Sequence, residues 1–181
     1  MLQDFNLLVS TSRGNEKNTC SEMWYLLGEA GDRCATVERT PIIGLVLAKT
    51  RLEPVAAVQR LRSLLIERPW EFRYTLKITP ILGVVSSDPQ KIEELALRLA
   101  ESIGKEETFR ITVEKRRTSI SGRTLTEAIA KRIDRKVNLD SPDKIVLVQI
   151  VGELTGVSVI SSDDILSVER EKRLASLERE Q

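Results

Sequence analysis

The stretch FRITVEK-RRTSISGR-TLTEAIAKRIDRKV, Phe109 to Val137, decides the reading of this chain. Phe109, Ile111 and Val113 alternate with Arg110, Thr112 and Glu114, the period of a half-buried strand. From Leu125 apolar residues return every fourth position, at Ile129, Ile133 and Val137, and so line one side of a helix. Ser121 alone, or Thr124 with Glu127 three residues on, supplies the helix cap. At about 100° per residue, Thr124, Lys131 and Arg135 lie opposite Ile129 and Ile133. The pattern predicts a strand that delivers Lys115, Arg116 and Arg117 to a polar loop, and a helix that presents further cations beside them.

Working outward, Pro80 to Ser87 leads into this unit. Asp88 caps a helix with Pro89 in its first turn, and Ile92, Leu95, Leu99 and Ile103 mark its apolar face. Gly104 ends it. After Asp140-Ser-Pro-Asp143, the nearly all-apolar run Ile145 to Val151 predicts a strand buried on both faces. Gly152 to Gly156 turns into a partner strand, Val157 to Ser161.

The first part of the chain reads β-α-β-β-α-β, the ferredoxin-like order. Phe5 to Thr11 is a strand and Ser21 to Gly28 a short helix. Ala35 to Arg39 and Ile42 to Lys49 are strands on either side of Thr40-Pro41. Glu53 to Arg68 is a helix stopped by Pro69, and Arg73 to Ile81 closes the unit. The expected organisation is a ferredoxin-like unit over 1–80, a second unit with a mixed sheet over 81–162, and a charged helix or tail over 163–181. The fold class is α/β, in the α+β sense.

Bulk properties exclude several functions. The chain has 181 residues, no histidine and two separated cysteines. That removes the usual general base and zinc ligand and predicts neither a metal site nor a cofactor. Cys20 and Cys34 are read as buried or free thiols; a disulfide suits only a hyperthermophilic source. No GxxxxGK[ST] or GxGxxG motif is present, and Asp163-Asp164 and Glu93-Glu94 are isolated acidic pairs. No catalytic constellation emerges, so the expectation is a protein that is not an enzyme. No apolar run approaches the roughly 20 residues of a membrane span, and no signal peptide opens the chain, so the expected location is cytoplasmic.

The net charge is only +1, but its distribution is uneven. Lys105 to Lys136 holds ten cations against five anions, whereas Asp163 to Gln181 holds six anions against four cations. The basic window, with Ser119, Ser121 and Gly122 at a helix start, fits phosphate binding. Trp24, Trp70, Phe72 and Tyr74 read as core packing rather than as a base-stacking platform. In the C-terminal segment Ile165, Leu166 and Val168 can dock, whereas the charged helix beyond them reads as solvated; the sharper alternative makes Leu174 and Leu177 anchors for a partner.

The basic loop and helix from Lys115 to Lys136, the run Lys136 to Asp143 with the strand Ile145 to Gly152, and Tyr74-Thr-Leu-Lys-Ile-Thr-Pro80 together resemble the THUMP domain of tRNA-modifying enzymes. The chain as a whole resembles the stand-alone THUMP proteins that assist a tRNA acetyltransferase. The resemblance implies a non-catalytic adaptor that binds the acceptor stem and 3′ end of tRNA and presents it to a separate RNA cytidine acetyltransferase. Lys115, Arg116, Arg117, Arg123, Lys131 and Arg135 would contact phosphates, with Ser119 and Ser121 adding hydrogen bonds. The alternative is a protein-interaction subunit of an RNA-processing complex that does not itself bind tRNA.

Overall fold

The sheet alternation in the sequence appears in the computed structural model as two separate five-stranded sheets, in a description that covers residues 1–179. The chain divides into two units: Met1–Pro80 with the segment from Asp163 onward, and Ile81–Ser162.

In the first unit the strand order is β10-β4-β1-β3-β2, every pair antiparallel. These strands are β1 (Leu7–Thr11), β2 (Thr36–Arg39), β3 (Leu45–Lys49), β4 (Thr75–Pro80) and β10 (Leu166–Ser167). Without β10 this is the ferredoxin-like order. Leu7, Val9, Val46, Ala48 and Ile78 share one sheet face and meet Met23, Leu26 and Leu27 of α1 (Glu16–Glu29) and Val58, Leu61 and Leu65 of α2 (Pro54–Glu67). Glu53 caps α2 by accepting from the N–H groups of Val55 and Ala56, at 3.1 and 2.7 Å. The helix α1 begins five residues before the expected Ser21. Its extra turn was hidden because the residue facing inward is polar: Thr19 is fully buried and donates to the Thr11 hydroxyl at 2.8 Å. Cys20 is half-buried and Cys34 exposed, and both are free thiols.

The C-terminal segment docks through its first residues and leaves the far part of its helix exposed. Leu166 and Val168 are buried, and β10 pairs with β4 through Leu166↔Ile78. Arg62 of α2 donates to the carbonyls of Asp163 and Ile165, at 2.7 and 3.1 Å, and pairs with Glu171 at 3.3 Å. Lys172 of α5 (Val168–Arg179) donates to the Phe72 carbonyl at 2.7 Å. Two buried side chains and a set of charge-assisted hydrogen bonds do what the thin apolar content could not. Leu174 and Leu177 are exposed.

The second unit has order β5-β9-β8-β6-β7, with β6 parallel to β7 and β8, and β9 antiparallel to β8 and β5. Its strands are β5 (Gly83–Ser86), β6 (Thr108–Arg116), β7 (Lys136–Val137), β8 (Lys144–Val151) and β9 (Leu154–Ile160). Two helices, α3 (Pro89–Ala100) and α4 (Gly122–Ala130), cover one face. Ile92, Leu95 and Ala96 of α3 and Leu125 and Ile129 of α4 pack on Phe109, Val146, Val148, Ile150 and Val157. Both faces of β8 are buried, as its continuous apolar run requires.

The helix expected to reach Val137 ends at Ala130. Ile133 still packs against the core, so its spacing imitated another helical turn, while Lys136–Val137 turns back to pair with Thr108 and Phe109. No helix among the described residues is long and apolar enough to cross a membrane.

Candidate nucleic-acid interface

The expected cations divide between two ends of the second unit. The strand β6 and the helix α4 run in opposite directions, and nine residues of helix separate their ends by about 13 Å. Lys115, Arg116, Arg117, Ser119, Ser121 and Arg123 gather where β6 stops and α4 starts. Lys131 and Arg135 lie at the other end, where α4 stops and β7 returns to the beginning of β6.

At the first end, consecutive strand residues point to opposite faces. Lys115 leans toward the loop, its ammonium donating to the Ile120 carbonyl at 3.1 Å. Arg116 goes the other way and is committed within the protein. It donates to Gln149 at 2.8 Å and pairs with Glu114 at 3.0 Å. Arg117 adopts φ +52°, the left-handed region where non-glycine residues are uncommon. This turns the chain out of the sheet and leaves an exposed guanidinium with no ion pair or hydrogen bond among the described residues. Ser119 is exposed as well. Ser121 is the cap of α4, accepting from Thr124 N–H at 3.2 Å, so of the two caps open to the sequence the serine is used. Arg123, 89% exposed, makes a single i,i+4 pair with Glu127 at 3.0 Å.

A second helix start lies on this edge. Ser86, Leu154, Val151 and Arg116 form one row across β5, β9, β8 and β6. Three inter-strand steps of about 4.8 Å put Ser86 about 14 Å from Arg116. The helix α3 begins just beyond, capped by Asp88, and Lys91 in its first turn donates to Ser86 Oγ at 3.2 Å. Neither helix carries an acidic residue within its first turn, yet each carries a cation there, Lys91 and Arg123. The positive end of the helix dipole disfavours a cation by a few tenths of a kcal/mol at the surface. Asp88 already sets a carboxylate at the start of α3 and Glu127 pairs with Arg123, so the cation of this edge left without a partner among the described residues is Arg117. Sequence reasoning overlooked Lys91; a lysine in the turn opened by Asp88-Pro89 was the available signal.

At the opposite end Arg110, Arg132 and Arg135 are engaged within the protein, while Lys131 and Lys136 are exposed. Arg135 donates from Nε to the carbonyls of Ile103 and Gly104, at 3.1 and 3.0 Å, and from Nη1 to that of Asp134 at 2.6 Å. It is not on the helix face where spacing placed it. Lys131 is the C-cap of α4 and exposed, where the negative end of the dipole favours it. Arg110 donates to the Leu139 carbonyl at 2.9 Å, and Arg132 pairs with Glu93 at 2.9 Å. Asp143 accepts from the N–H and hydroxyl of Thr108, at 2.7 and 2.9 Å, which holds its carboxyl below the usual range.

Among the described residues no group of three or more Cys, Asp or Glu could hold a metal ion.

Comparison with known proteins now identifies the unit that bears this edge. Residues 86–160 match the THUMP domain. The match runs from the last residue of β5 to the end of β9 and includes both helix starts. No curated relative matches the chain in sequence. Among solved structures, PH1313 from Pyrococcus horikoshii Ot3 superposes with a TM-score of 0.65 at 15% identity, over 87% of this chain and 54% of that one. TrmN from Thermus thermophilus does so with a TM-score of 0.56 at 15% identity, over 84% and 44%. A 4-thiouridine synthetase solved with RNA and bound ATP gives 0.57 at 12% identity, over 91% and 42%. At these identities the likeness shows the fold alone, and the chain spans about half the length of these structures or less.

One expectation is overturned here. The sequence argued for a protein that is not an enzyme, from the lack of a catalytic constellation. The architecture around the THUMP domain recurs within a 4-thiouridine synthetase and a putative methyltransferase complexed with SAH, at 12% and 11% identity. A stretch like this one occurs inside enzyme chains, so its want of histidine and phosphate loops does not distinguish it from them.

Proposed function

We propose that the chain binds tRNA through its THUMP domain and presents it to a tRNA-modifying active site. The observation that carries this reading is the exposed guanidinium of Arg117, turned out by a left-handed backbone beside Lys115, Ser119 and Arg123 at the start of α4. A phosphate ester would supply the partner that Arg117 lacks among the described residues. Lys115, Arg117 and Arg123 are the phosphate contacts in this reading, and Ser119 donates a hydroxyl. Arg116 orients the strand exit through Gln149 and Glu114. Ser121 holds the helix start, and Lys131 and Arg135 serve the far end. The THUMP match and a fold shared with a synthetase solved in complex with RNA support the choice of ligand.

The finer parts of the proposal rest on the sequence resemblance. The tRNA is gripped at its acceptor stem and single-stranded 3′ end, and the modifying partner is an RNA cytidine acetyltransferase in the cytoplasm. The test is equilibrium binding of tRNA against the same tRNA lacking its 3′ overhang, repeated from 50 to 200 mM salt. With about three cations on phosphates, log affinity falls with log salt at a slope near −2 to −3. Equal affinity for the blunt RNA removes the 3′ end from the proposal, and a flat salt response removes the phosphate contacts.

A further inference from the structure

The stretch from Thr118 to Thr124 carries four hydroxyls, and all but one are tied within the protein. Thr118 accepts from the Ile120 N–H at 3.2 Å. Ser121 accepts from the N–H and the hydroxyl of Thr124, at 3.2 and 3.0 Å. Ser119 is exposed and makes no hydrogen bond among the described residues.

The charges around this free hydroxyl are all of one sign. No acidic residue occurs between Glu114 and Glu127. Those two carboxylates are themselves engaged, Glu114 with Arg116 and Glu127 with Arg123, both at 3.0 Å. Arg117 and Lys115 precede Ser119 by two and four positions, and both are exposed. The Lys115 ammonium donates to the Ile120 carbonyl, which leaves Arg117 as the cation here without a partner among the described residues. Two steps of chain separate the Ser119 and Arg117 Cα atoms by at most about 7 Å, within the reach of a guanidinium.

An accessible serine that follows cations suits an enzyme whose cleft is acidic. A phosphate set on it would carry a charge of about −1.5 to −2 and three acceptor oxygens beside a guanidinium that lacks an acceptor. We propose that Ser119 is a phosphoacceptor for an ATP-dependent protein kinase that reads basic side chains ahead of its serine, and that the phosphate seats on Arg117 and shuts RNA out. The effect on RNA rests on the proposed function. In the transfer the Ser119 oxygen bonds to the γ-phosphorus of ATP, and the bond from that phosphorus to the β,γ-bridging oxygen breaks. ADP leaves, and the hydroxyl proton passes to a base of the kinase. The ester then competes with an RNA phosphate from within the chain, at high effective concentration. It also removes up to about two charges from a window, Lys105 to Lys136, that holds ten cations against five anions.

Trypsin cuts after Arg117 and Arg123, so the native chain purified from its own cells releases the peptide Thr118–Arg123. Its fragment spectrum should place a phosphate on Ser119. Protein carrying phosphoserine in place of Ser119, made by genetic code expansion, should titrate by ³¹P NMR below the ordinary phosphate pKa of about 6, and Arg117→Ala should restore that value. The modified protein should bind tRNA roughly thirtyfold more weakly than the unmodified chain, with an unchanged melting temperature. The inference is overturned if the native peptide is unmodified or carries its phosphate on Thr118 or Ser121. It is overturned equally if Arg117→Ala leaves the ³¹P titration unmoved, or if the modified protein holds tRNA as tightly as the unmodified one. Should the unmodified chain bind no tRNA, the proposed function fails instead, while the peptide and the ³¹P titration still decide the phosphoacceptor and its seat on Arg117.

Discussion

Arg117 and Arg135 belong to one basic run, yet they do opposite work at opposite ends of α4. Arg135 spends its donors on three backbone carbonyls, two just past the end of α3 and one of its own neighbour Asp134. Arg117, turned out by a left-handed backbone, has no such use for its donors among the described residues. The same contrast separates Lys131, which sits where a helix dipole welcomes it, from Arg123, which sits where a dipole opposes it. A count of charges cannot tell these residues apart. What distinguishes a ligand-facing cation from a structural one is whether its donors and its local field are already satisfied.

That contrast is best broken by exchanging roles through mutation. Replacing Lys115 and Arg117 together with alanine should weaken tRNA binding roughly thirtyfold, from two lost charge-assisted contacts, with no change in melting temperature. Equal tRNA affinity in the variant and the wild type would erase the distinction between the two ends. Arg135→Ala should do the reverse, costing about 1–2 kcal/mol of stability in a denaturant titration while tRNA affinity measured on folded protein stays within twofold. Ser121→Ala sharpens the picture from the helix side. Loss of the cap should cost about 1 kcal/mol, with a modest loss of tRNA affinity as the start of α4 loosens.

The smallest effect concerns pH. The Asp143 carboxyl is held down by the Thr108 N–H and hydroxyl, so its contribution is present above the ordinary carboxylate pKa of about 3.9 and is lost as pH falls through the lowered value. Asp143→Asn should therefore flatten the acid limb of the stability profile and leave the neutral region of tRNA binding alone.

Much of this architecture was legible because periodicity reports burial. The alternation in β6, the continuous apolar run of β8 and the spacing of Ile92, Leu95 and Leu99 each led to the right element. The misses share a physical origin. Strands β5 and β10 are short, with four and two residues, and their place is set by the partner strand rather than by local preference. Ile133 is core-facing without being helical, so spacing extended α4 past its end. Trp24 and Trp70 read as core because large rings are usually buried, yet both are exposed, at 59% and 63%. For the proposed interface, the sequence placed Lys115, Arg116 and Arg117 at the β6 exit, but it could not show that Arg116 turns to Gln149, since that depends on which strand lies beside β6 and in what register.

The pairing of β10 with β4 has a consequence for the chain as a polymer. The THUMP-bearing segment leaves the first unit at the end of β4 and the chain re-enters at the strand hydrogen-bonded beside it, so the whole segment is topologically an insertion. A stop codon after Ser162 would thus spare every strand of the inserted unit and strip an edge from its host, baring Ile78 and unseating Arg62. Damage at the carboxyl terminus would be felt first by the unit that begins the chain.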